Sequence, residues 1–520
     1  MKKKLLSMML TAAMTIGLLT GCGQDATESP TSKAETGQSS QESQSAESST
    51  ATKDEKSEEP VVISWYMPKC DDDMAQEEEV ENAVNELLAE RVGAVIDLKL
   101  VDSGSFSEKL NTMISAGEEF DICFTCSWMN DFNTNAANGA FADISGMLEE
   151  LAPDILAKQE DYVWDCVTRD GGIYAIPGQG SYSTSKSLVF KKDLVEKYDF
   201  DYSSVTEWQD LEPYFETLAE NEPGVMPVYL YGKDLGISYV SDRYSSGCAK
   251  GLNFDEQEQK YVKTLEAEEF LERYRTVYDW YQAGYCDKDA ATKTELKEDC
   301  KSGKYAVMKD TGTYSADGEK STSVYGFDCV EVYLGNTKVG GSVLGAMNAI
   351  SVTSKHPEKA LEVLNAVWAD PFISNTLAYG IEGVNYTIDE ERSSEIGSKS
   401  VVPQAGDEMT WALWNNWVGP LFDQWDSSWN RIESLKEMQE NNAKAEAEGT
   451  MGFVFDASEL QTEIANVTSA WGEILPVLNT GTMPDFEQYI ENANKKLTEA
   501  GLDKILEEAN RQLAEWKAGK

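Results

Sequence analysis

The chain has 520 residues, enough for two or three domains, and its 41% hydrophobic and 10% aromatic content can form a large buried core. There are 44 Lys and Arg against 92 Asp and Glu, and the resulting net charge of −48 disfavours contact with phosphate backbones and therefore with nucleic acids. The single histidine, His356, excludes a metal site built from several histidine ligands.

The N-terminus has the features of a bacterial export signal. Lysines at positions 2–4 precede a mostly apolar stretch over residues 5–19, which is too short to favour a membrane-spanning helix. The sequence Leu-Thr-Gly-Cys at 19–22 then follows the pattern of a lipoprotein box, in which small residues suit the cleavage site and the cysteine carries lipid. We therefore predict a signal peptide over 1–21 and lipidation of Cys22, with an uncleaved N-terminal anchor as the alternative.

Residues 22–59 are predicted to be a lipidated cysteine followed by a disordered, acidic tether. Ser, Thr, Glu and Gln dominate residues 23–59, which contain no Val, Ile, Leu, Met or aromatic residue. Such a segment cannot bury enough apolar surface to offset the entropy of ordering. As a flexible coil it would span roughly 35 Å r.m.s. between the membrane and the folded body.

The body begins with an alternation of strands and helices. The pattern predicts strands over 61–66, 95–101 and 120–124 and amphipathic helices over 77–92 and 106–116. This order indicates an α/β lobe with parallel strands, in which ligands bind beyond the carboxyl ends of the strands. The loops that follow Tyr66 and Phe124 are therefore expected at the functional edge.

Later elements continue the mixture of strands and helices. Further strands are predicted at 171–177, 304–308 and 348–352, and helices at 190–198, 208–219, 266–283 and 357–369, with two more between 485 and 517 that are separated near Gly501.

Possible metal and redox motifs are weak. Cys123 and Cys126 have the C-x-x-C spacing of redox or zinc sites, but no second pair or histidine accompanies them, and two small buried residues are the favoured interpretation. The segment from Asp131 starts like a calcium loop but has Ala136 at its sixth position and Ala142 at its twelfth. We predict no metal and no cofactor.

Several short motifs occur in an order typical of one family. After the lipoprotein box and the tether come Phe-Asp-Ile at 120–122, Gly-Ile-Tyr-Ala-Ile-Pro at 172–177, Gly-Lys-Tyr-Ala-Val-Met at 303–308, Ser-Lys-His-Pro-Glu-Lys-Ala at 354–360 and Tyr-Gly-Ile-Glu-Gly-Val-Asn-Tyr at 379–386. The chain resembles an extracellular solute-binding lipoprotein of an ABC importer, of the family 1 type. The stretch from Gly-Phe-Val-Phe-Asp at 452–456 to Trp516 is similar to the DUF3502 domain of such lipoproteins.

This resemblance implies an α/β fold of the type II periplasmic-binding-protein kind, with two lobes, hinge crossovers and a helical C-terminal region. The approximate boundaries that we predict are 60–173 with 315–375 for lobe 1, 174–314 with 376–450 for lobe 2, and 451–520 for the DUF3502-like region. The family also implies a monomer that closes on a solute and delivers it to a permease with its own ATPase, without catalysis.

A sugar ligand has apolar ring faces and many hydroxyls, so aromatic and polar side chains near strand ends are the candidates. For Trp128 the alternative is core packing, and for Tyr182 it is a mobile surface loop. Glu382 could accept a hydroxyl or anchor the hinge. The predicted ligand-binding residues are Tyr66, Trp128, Tyr182, Asp310, Tyr314, Asn348, Glu382, Trp414 and Trp417.

Five tryptophans fall between 411 and 429, and their spacings of three and four residues predict that neighbours share a helical face. Packing between the lobes is the favoured role for each, with at least one facing the cleft.

The predicted function is capture of a small solute, an oligosaccharide or sugar derivative, at the outer face of the cytoplasmic membrane, to which only the lipid anchor attaches the protein. The alternative is a surface glycoside hydrolase with a pair of catalytic carboxylates. The sequence has neither a Gly-x-Ser-x-Gly elbow nor a phosphate-binding Gly-x-x-x-x-Gly-Lys-Ser/Thr loop.

Overall fold

The computed structural model describes residues 59–70, 74, 76–183, 186–233, 243–245, 247–309, 318–334, 338–404, 410–428 and 430–519, all within one unit, Glu58–Lys520. The predicted signal peptide, Cys22 and nearly all of the tether lie outside these residues, and so do Asp310 and Tyr314.

Strands and helices of varied length follow one another along the chain. The strands are β1 (Val61–Pro68), β2 (Ala94–Val101), β3 (Ile122–Thr125), β4 (Thr168–Arg169), β5 (Gly172–Ile173), β6 (Ile176–Pro177), β7 (Lys186–Lys191), β8 (Met226–Val228), β9 (Tyr244–Ser245), β10 (Leu252–Asp255), β11 (Lys260–Lys263), β12 (Tyr305–Lys309), β13 (Cys329–Leu334), β14 (Lys338–Val339), β15 (Met347–Ile350), β16 (Tyr386–Ile388), β17 (Ser400–Pro403), β18 (Asp426–Ser427) and β19 (Glu446–Ala447). The α-helices are α1 (Glu77–Val92), α2 (Ser103–Ala116), α3 (Phe132–Ala137), α4 (Leu148–Leu151), α5 (Pro153–Lys158), α6 (Val163–Val167), α7 (Lys192–Lys197), α8 (Glu212–Asn221), α9 (Glu268–Ala283), α10 (Leu296–Cys300), α11 (Glu319–Tyr325), α12 (Pro357–Ala369), α13 (Pro371–Tyr379), α14 (Glu390–Ile396), α15 (Asn415–Val418), α16 (Ile432–Lys444), α17 (Gln461–Leu478), α18 (Phe486–Ala500) and α19 (Leu502–Gly519).

The first lobe is built on a five-stranded sheet with the order β2-β1-β3-β15-β6. Strands β1, β2 and β3 are parallel, as predicted, whereas β15 runs antiparallel to both β3 and β6. Helix α1 ends at Gly93, whose φ of 63° suits glycine, and it buries Val80, Val84 and Leu88. Helix α2 begins after Asp102, whose carboxylate accepts a hydrogen bond from the backbone N–H of Ser105.

The second lobe is built on a four-stranded sheet with the order β13-β7-β12-β8. Strands β8 and β12 are parallel, and β7 is antiparallel to both β12 and β13. The C-terminal helices α17, α18 and α19 pack into the core of this lobe through Val467, Ile490 and Ile505. The C-terminal region therefore shares a hydrophobic core with the second lobe.

Two local predictions differ from the structure. Residues 190–191, predicted to begin a helix, end strand β7, and the helix starts only at Lys192. Tertiary contacts explain the difference. Strand β7 pairs on both sides, with β12 and β13, and the side chains of Val189 and Phe190 are completely buried. The strand predicted over 171–177 is divided into β5 and β6, which pair with different strands.

The hydrophobic cores also divide the chain differently from the predicted lobe boundaries. Strand β13 pairs with β7 and so belongs to the second sheet, although the predicted boundaries place it in lobe 1. Trp411, Leu413 and Val418 pack into the core of the first lobe, although the predicted boundaries place them in lobe 2. Both differences arise because the chain crosses between the lobes within loops. The hydrophobic periodicity that locates strands and helices in a sequence does not mark such crossings.

The C-x-x-C pair is buried in the first lobe, in agreement with the favoured interpretation. Cys123 lies on β3 and Cys126 follows it, and both side chains are inaccessible to solvent. Burial raises the pKa of Cys123 to about 12 and that of Cys126 to about 11.

We therefore expect both thiols to resist iodoacetamide at pH 8 in the folded protein, because the reactive thiolate is rare and inaccessible. Peptide mass spectrometry with and without guanidinium measures this, and the unfolded sample serves as the control. Rapid labelling of either cysteine in the native protein would contradict the structure.

No described helix is long and apolar enough to cross a membrane.

Candidate functional site

Several strand ends meet at one edge of the first sheet. Thr125, the last residue of β3, lies opposite Met347, the first residue of β15, and Met347 also lies opposite Pro177, the last residue of β6. The carboxyl end of β1 is at the same edge because β1 and β3 are parallel. In open α/β sheets this is the edge at which ligands bind.

A cluster of three aromatic rings stands at this edge. The Trp128 ring centroid is 6.3 Å from that of Phe124 and 6.1 Å from that of Trp417, and the Phe124 and Trp417 centroids are 4.9 Å apart. Trp128 is nevertheless 58% exposed, so most of its surface remains open to solvent. We refer to Phe124, Trp128 and Trp417 as the aromatic cluster.

The loop that carries Trp128 is fixed by hydrogen bonds. The backbone N–H of Cys126 donates to the carbonyl of Met129 at 3.1 Å, which closes the turn. The indole Nε1 of Trp128 donates to the carbonyl of Gly345 at 3.0 Å. The ring is therefore held in place while most of its surface is left free, as a stacking platform requires.

Trp414 adds a second exposed indole close to the aromatic cluster in sequence. It is 57% exposed and immediately precedes α15, and its carbonyl accepts a hydrogen bond from the backbone N–H of Trp417 at 2.8 Å. The predicted shared helical face is wrong, because α15 covers only 415–418. Trp411 lies before the helix with its ring buried in the first core, and Trp425 lies after it. Trp429 lies outside the described residues.

Asn348 is buried and positions two tryptophans. Its Nδ2 donates to the carbonyl of Trp417 at 2.8 Å, and its Oδ1 accepts from the indole Nε1 of Trp65 at 2.9 Å. Because both the oxygen and the nitrogen of its side-chain amide are hydrogen-bonded to tryptophans, Asn348 supports the aromatic cluster by holding the backbone of Trp417. A direct ligand contact by Asn348 stays a prediction.

The crossover at 178–183 leaves the first sheet at this edge and leads into β7 of the second. Gly178 approaches residue 416 so closely that a Cβ at Gly178 would lie 1.8 Å from the carbonyl oxygen of Asn416. The buried side chain of Asn442 holds the crossover: its Oδ1 accepts from the N–H of Tyr182 at 3.0 Å and its Nδ2 donates to the carbonyl of Gly180 at 2.7 Å.

Tyr182 itself lies inside this crossover with its side chain buried. Its hydroxyl is 2.7 Å from the carbonyl oxygen of Gly178 and 3.2 Å from Oε1 of Gln159, and burial raises its pKa. The ring therefore packs within the hinge, which differs from the mobile surface loop of the alternative interpretation. Its ligand contact stays a prediction.

Two other candidates lie apart from the aromatic cluster. Tyr66 faces α2, whose Lys109 Nζ lies 5.4 Å from the ring centroid, and its ring also contacts Phe120, which follows that helix. The carboxylate of Glu382 accepts from Lys399 Nζ at 2.9 Å and is mostly exposed. Their ligand contacts stay predictions.

At the other end of the crossover, β7 begins at the edge of the second sheet where β8 and β12 end. Leu188 of β7 lies opposite Lys309 at the end of β12, and β8 ends beside it because β8 and β12 are parallel. Tyr229 and Tyr231 follow β8 directly, with ring centroids 5.6 Å apart. Both tyrosines are buried in a hydrophobic cluster of the second lobe, so they pack beneath this edge and do not offer an exposed surface.

Comparison with known proteins assigns this fold to a family. The model of the bacterial extracellular solute-binding protein family matches residues 74–370, more than half of the chain, and the domain of unknown function DUF3502 matches residues 449–518. A carbohydrate ABC transporter substrate-binding protein of Streptococcus pneumoniae is 27% identical over 476 residues, which cover 90% of this chain and 93% of the relative.

Comparison with solved structures gives the same family assignment. The N-glycan transport solute binding protein of Streptococcus pneumoniae is 25% identical with a TM-score of 0.75, over 88% of this chain and all of that one. The same relative in complex with Man5GlcNAc is also 25% identical, with a TM-score of 0.59 over 88% of this chain and 99% of that one.

These matches confirm the predicted two-lobe fold, the DUF3502 region and a role in solute capture for import rather than in catalysis. The chain belongs to the family of bacterial extracellular solute-binding proteins.

Proposed function

We propose that this protein captures an oligosaccharide between its two lobes and delivers it to an ABC permease while a lipid on Cys22 holds it at the outer face of the cytoplasmic membrane. The observation that carries the proposal is the exposed indole of Trp128 in the aromatic cluster, at the edge of the first sheet where β1 and β3 end. Trp414, three residues before Trp417 of this cluster, is also more than half exposed.

An exposed indole suits a carbohydrate for a physical reason. A pyranose ring has an apolar C–H face that stacks on an indole, while its hydroxyls form hydrogen bonds with polar groups around it. The aromatic cluster is also fixed from behind by Asn348, which lowers the entropic cost of stacking.

The relatives support the same class of solute. One is described as a carbohydrate transporter subunit, and another has been solved in complex with Man5GlcNAc.

The export signal and the lipoprotein box support anchoring at the membrane, and the tether gives the body room to reach a permease. A monomer is expected, because closure on a solute needs only the two lobes of one chain. The separate ATPase is required because no phosphate-binding loop occurs in the sequence.

Isothermal titration calorimetry against a panel of neutral oligosaccharides, Man5GlcNAc included, tests the proposal. We expect saturable binding of at least one glycan, with the glycan recovered intact by chromatography. Steady hydrolysis would instead support the glycoside hydrolase alternative, and an absence of binding across the panel would remove the carbohydrate assignment.

A further inference from the structure

One half-buried residue at the ligand edge of the first sheet has an unusual backbone conformation. Gln76 immediately precedes α1, and its φ of 66° lies in the left-handed region, which residues other than glycine rarely adopt. Because β1 and β2 are parallel, the helix that connects them starts at the carboxyl end of β1. Gln76 therefore lies on the same side of the sheet as the end of β3, which Trp128 follows.

The side chain of Gln76 is held by a buried asparagine. Nδ2 of Asn385, which is 1% exposed, donates to Oε1 of Gln76 at 2.8 Å and to Oγ1 of Thr410 at 2.9 Å. Oδ1 of Asn385 accepts from the backbone N–H of Ile381 at 2.8 Å. These bonds join the segment before α1 to two loops that are distant in sequence, at 381–385 and at 410.

The bond to Ile381 determines which atom of the glutamine amide is left without a partner. A backbone N–H can only donate, so Asn385 directs its oxygen to Ile381 and its nitrogen to Gln76. Gln76 in turn accepts with its oxygen. Its Nε2, which carries two N–H donors, makes no hydrogen bond to any residue that the structure describes, and it is not buried. A donor fixed in position is therefore available to a ligand.

One of the loops that Asn385 joins also carries an exposed tryptophan. Trp414 follows Thr410 by four residues and is 57% exposed. The backbone N–H of Leu413 donates to the carbonyl of Ala378 at 3.1 Å, which fixes this loop against the end of α13. A sugar that stacks on an indole directs its hydroxyls sideways, where an amide N–H can donate to them.

We propose that Gln76 is a specificity-determining residue of the oligosaccharide site, and that its Nε2 donates a hydrogen bond to a hydroxyl of a sugar ring bound at this edge. The bond to buried Asn385 holds the amide in place before the ligand arrives, which lowers the entropic cost of binding. A left-handed glutamine is strained, and such strain persists where the surrounding structure enforces it. The inference rests on the proposed function, because it names a further residue of that same site.

Gln76→Gly separates a ligand contact from a structural role. Glycine adopts a positive φ without strain, so this variant loses the amide and relieves the backbone, whereas Gln76→Ala loses the amide and keeps the strain. Gln259→Gly is the matched control. Gln259 also has a positive φ, 54°, but its amide is bonded to Glu256 and Lys517 at the turn between β10 and β11.

Calorimetry of the mature chain with Man5GlcNAc, and with the tightest-binding glycan of the panel, measures the affinity, and urea unfolding measures the stability. We expect Gln76→Gly and Gln76→Ala to raise the Kd by the same factor, about three- to tenfold, because each removes one hydrogen bond to the glycan. The glycine variant should nevertheless be the more stable of the two. Gln259→Gly should bind the glycan as the unmodified chain does.

An unchanged Kd in Gln76→Gly would overturn the assignment. So would a loss in Gln76→Ala that glycine restores, since the residue would then act only through the backbone. In both cases glycan binding by the unmodified chain would leave the oligosaccharide function intact. If the unmodified chain bound no glycan, the proposed function and this inference would fail together.

Discussion

Replacing Trp128 with alanine is expected to weaken oligosaccharide binding by about 1–3 kcal/mol, which is roughly 5- to 150-fold in Kd. The ring offers an open face at the ligand edge of the first sheet and is 58% exposed, so its removal takes away little core packing. Calorimetry with the tightest-binding glycan of the panel measures the loss, and we expect Trp128→Phe to restore part of it.

The control for Trp128 is Val352→Ala. Val352 is 59% exposed and follows β15 at the opposite edge of the same sheet, so its truncation tests for a general effect of losing exposed apolar surface. Glycan affinity should not change in this variant. An unchanged affinity in a folded Trp128→Ala protein would remove the aromatic cluster from the ligand site.

The substitution Asp426→Asn is expected to destabilise the fold by about 2–4 kcal/mol. Asp426 is fully buried and accepts hydrogen bonds from Arg431 Nη1 at 2.9 Å, Ser400 Oγ at 2.8 Å and the N–H of Ile432 at 3.1 Å, with Arg392 Nη2 at 3.3 Å. Breaking a buried ion pair typically costs ~3–5 kcal/mol. We place the loss lower because both arginines are partly exposed and retain Glu433 and Glu319 as partners.

Urea unfolding at pH 7 measures the change for Asp426→Asn. Glu433→Gln is the matched control, since this carboxylate also pairs with Arg392 but is mostly exposed, and we expect less than about 1 kcal/mol from its loss. Equal unfolding free energies for the Asp426 variant and the unmodified chain would contradict the assigned role.

The same aspartate gives a pH dependence with a defined sign. Burial alone would raise the pKa of Asp426, but hydrogen bonds from Arg392, Ile432, Ser400 and Arg431 outweigh it and lower the pKa. A carboxyl with a lowered folded-state pKa contributes stability above its ordinary value of about 3.9, and that contribution is lost as the pH falls through the lowered pKa. The variant should therefore lose stability less steeply below pH 4 than the unmodified chain.

Elements with strong local signals were predicted closely. Helix α1 spans the predicted 77–92 because its apolar stripe is regular and Gly93 ends it. Helix α12 spans the predicted 357–369 because Pro357 begins it and Asp370 follows its last turn. The division of the C-terminal helices at Gly501 follows from the same kind of signal.

Elements defined by tertiary contacts were not predictable in the same way. Phe190 carries a helix-compatible pattern, yet two neighbouring strands determine its conformation. Trp411, Trp414 and Trp417 have helical spacing, but only Trp417 lies in a helix, because α15 covers just 415–418.

The candidate site was likewise predictable only where local sequence signals define it. The sequence predicted correctly that Trp128 follows the end of β3 at the edge where β1 also ends, because carboxyl ends of parallel strands share an edge. Ligand binding at this edge stays a prediction. The burial of Tyr182 and Asn348 depends on partners distant in sequence, Gln159 and Trp65 among them, and no local pattern encodes these contacts.

The central claim is that two lobes close on an oligosaccharide that is then released unchanged. Small-angle X-ray scattering of the mature chain, with and without a saturating amount of the tightest-binding glycan, tests it most directly. The account predicts a smaller radius of gyration in the bound state, with the glycan intact afterwards. An identical radius of gyration at a saturation verified by calorimetry would contradict closure.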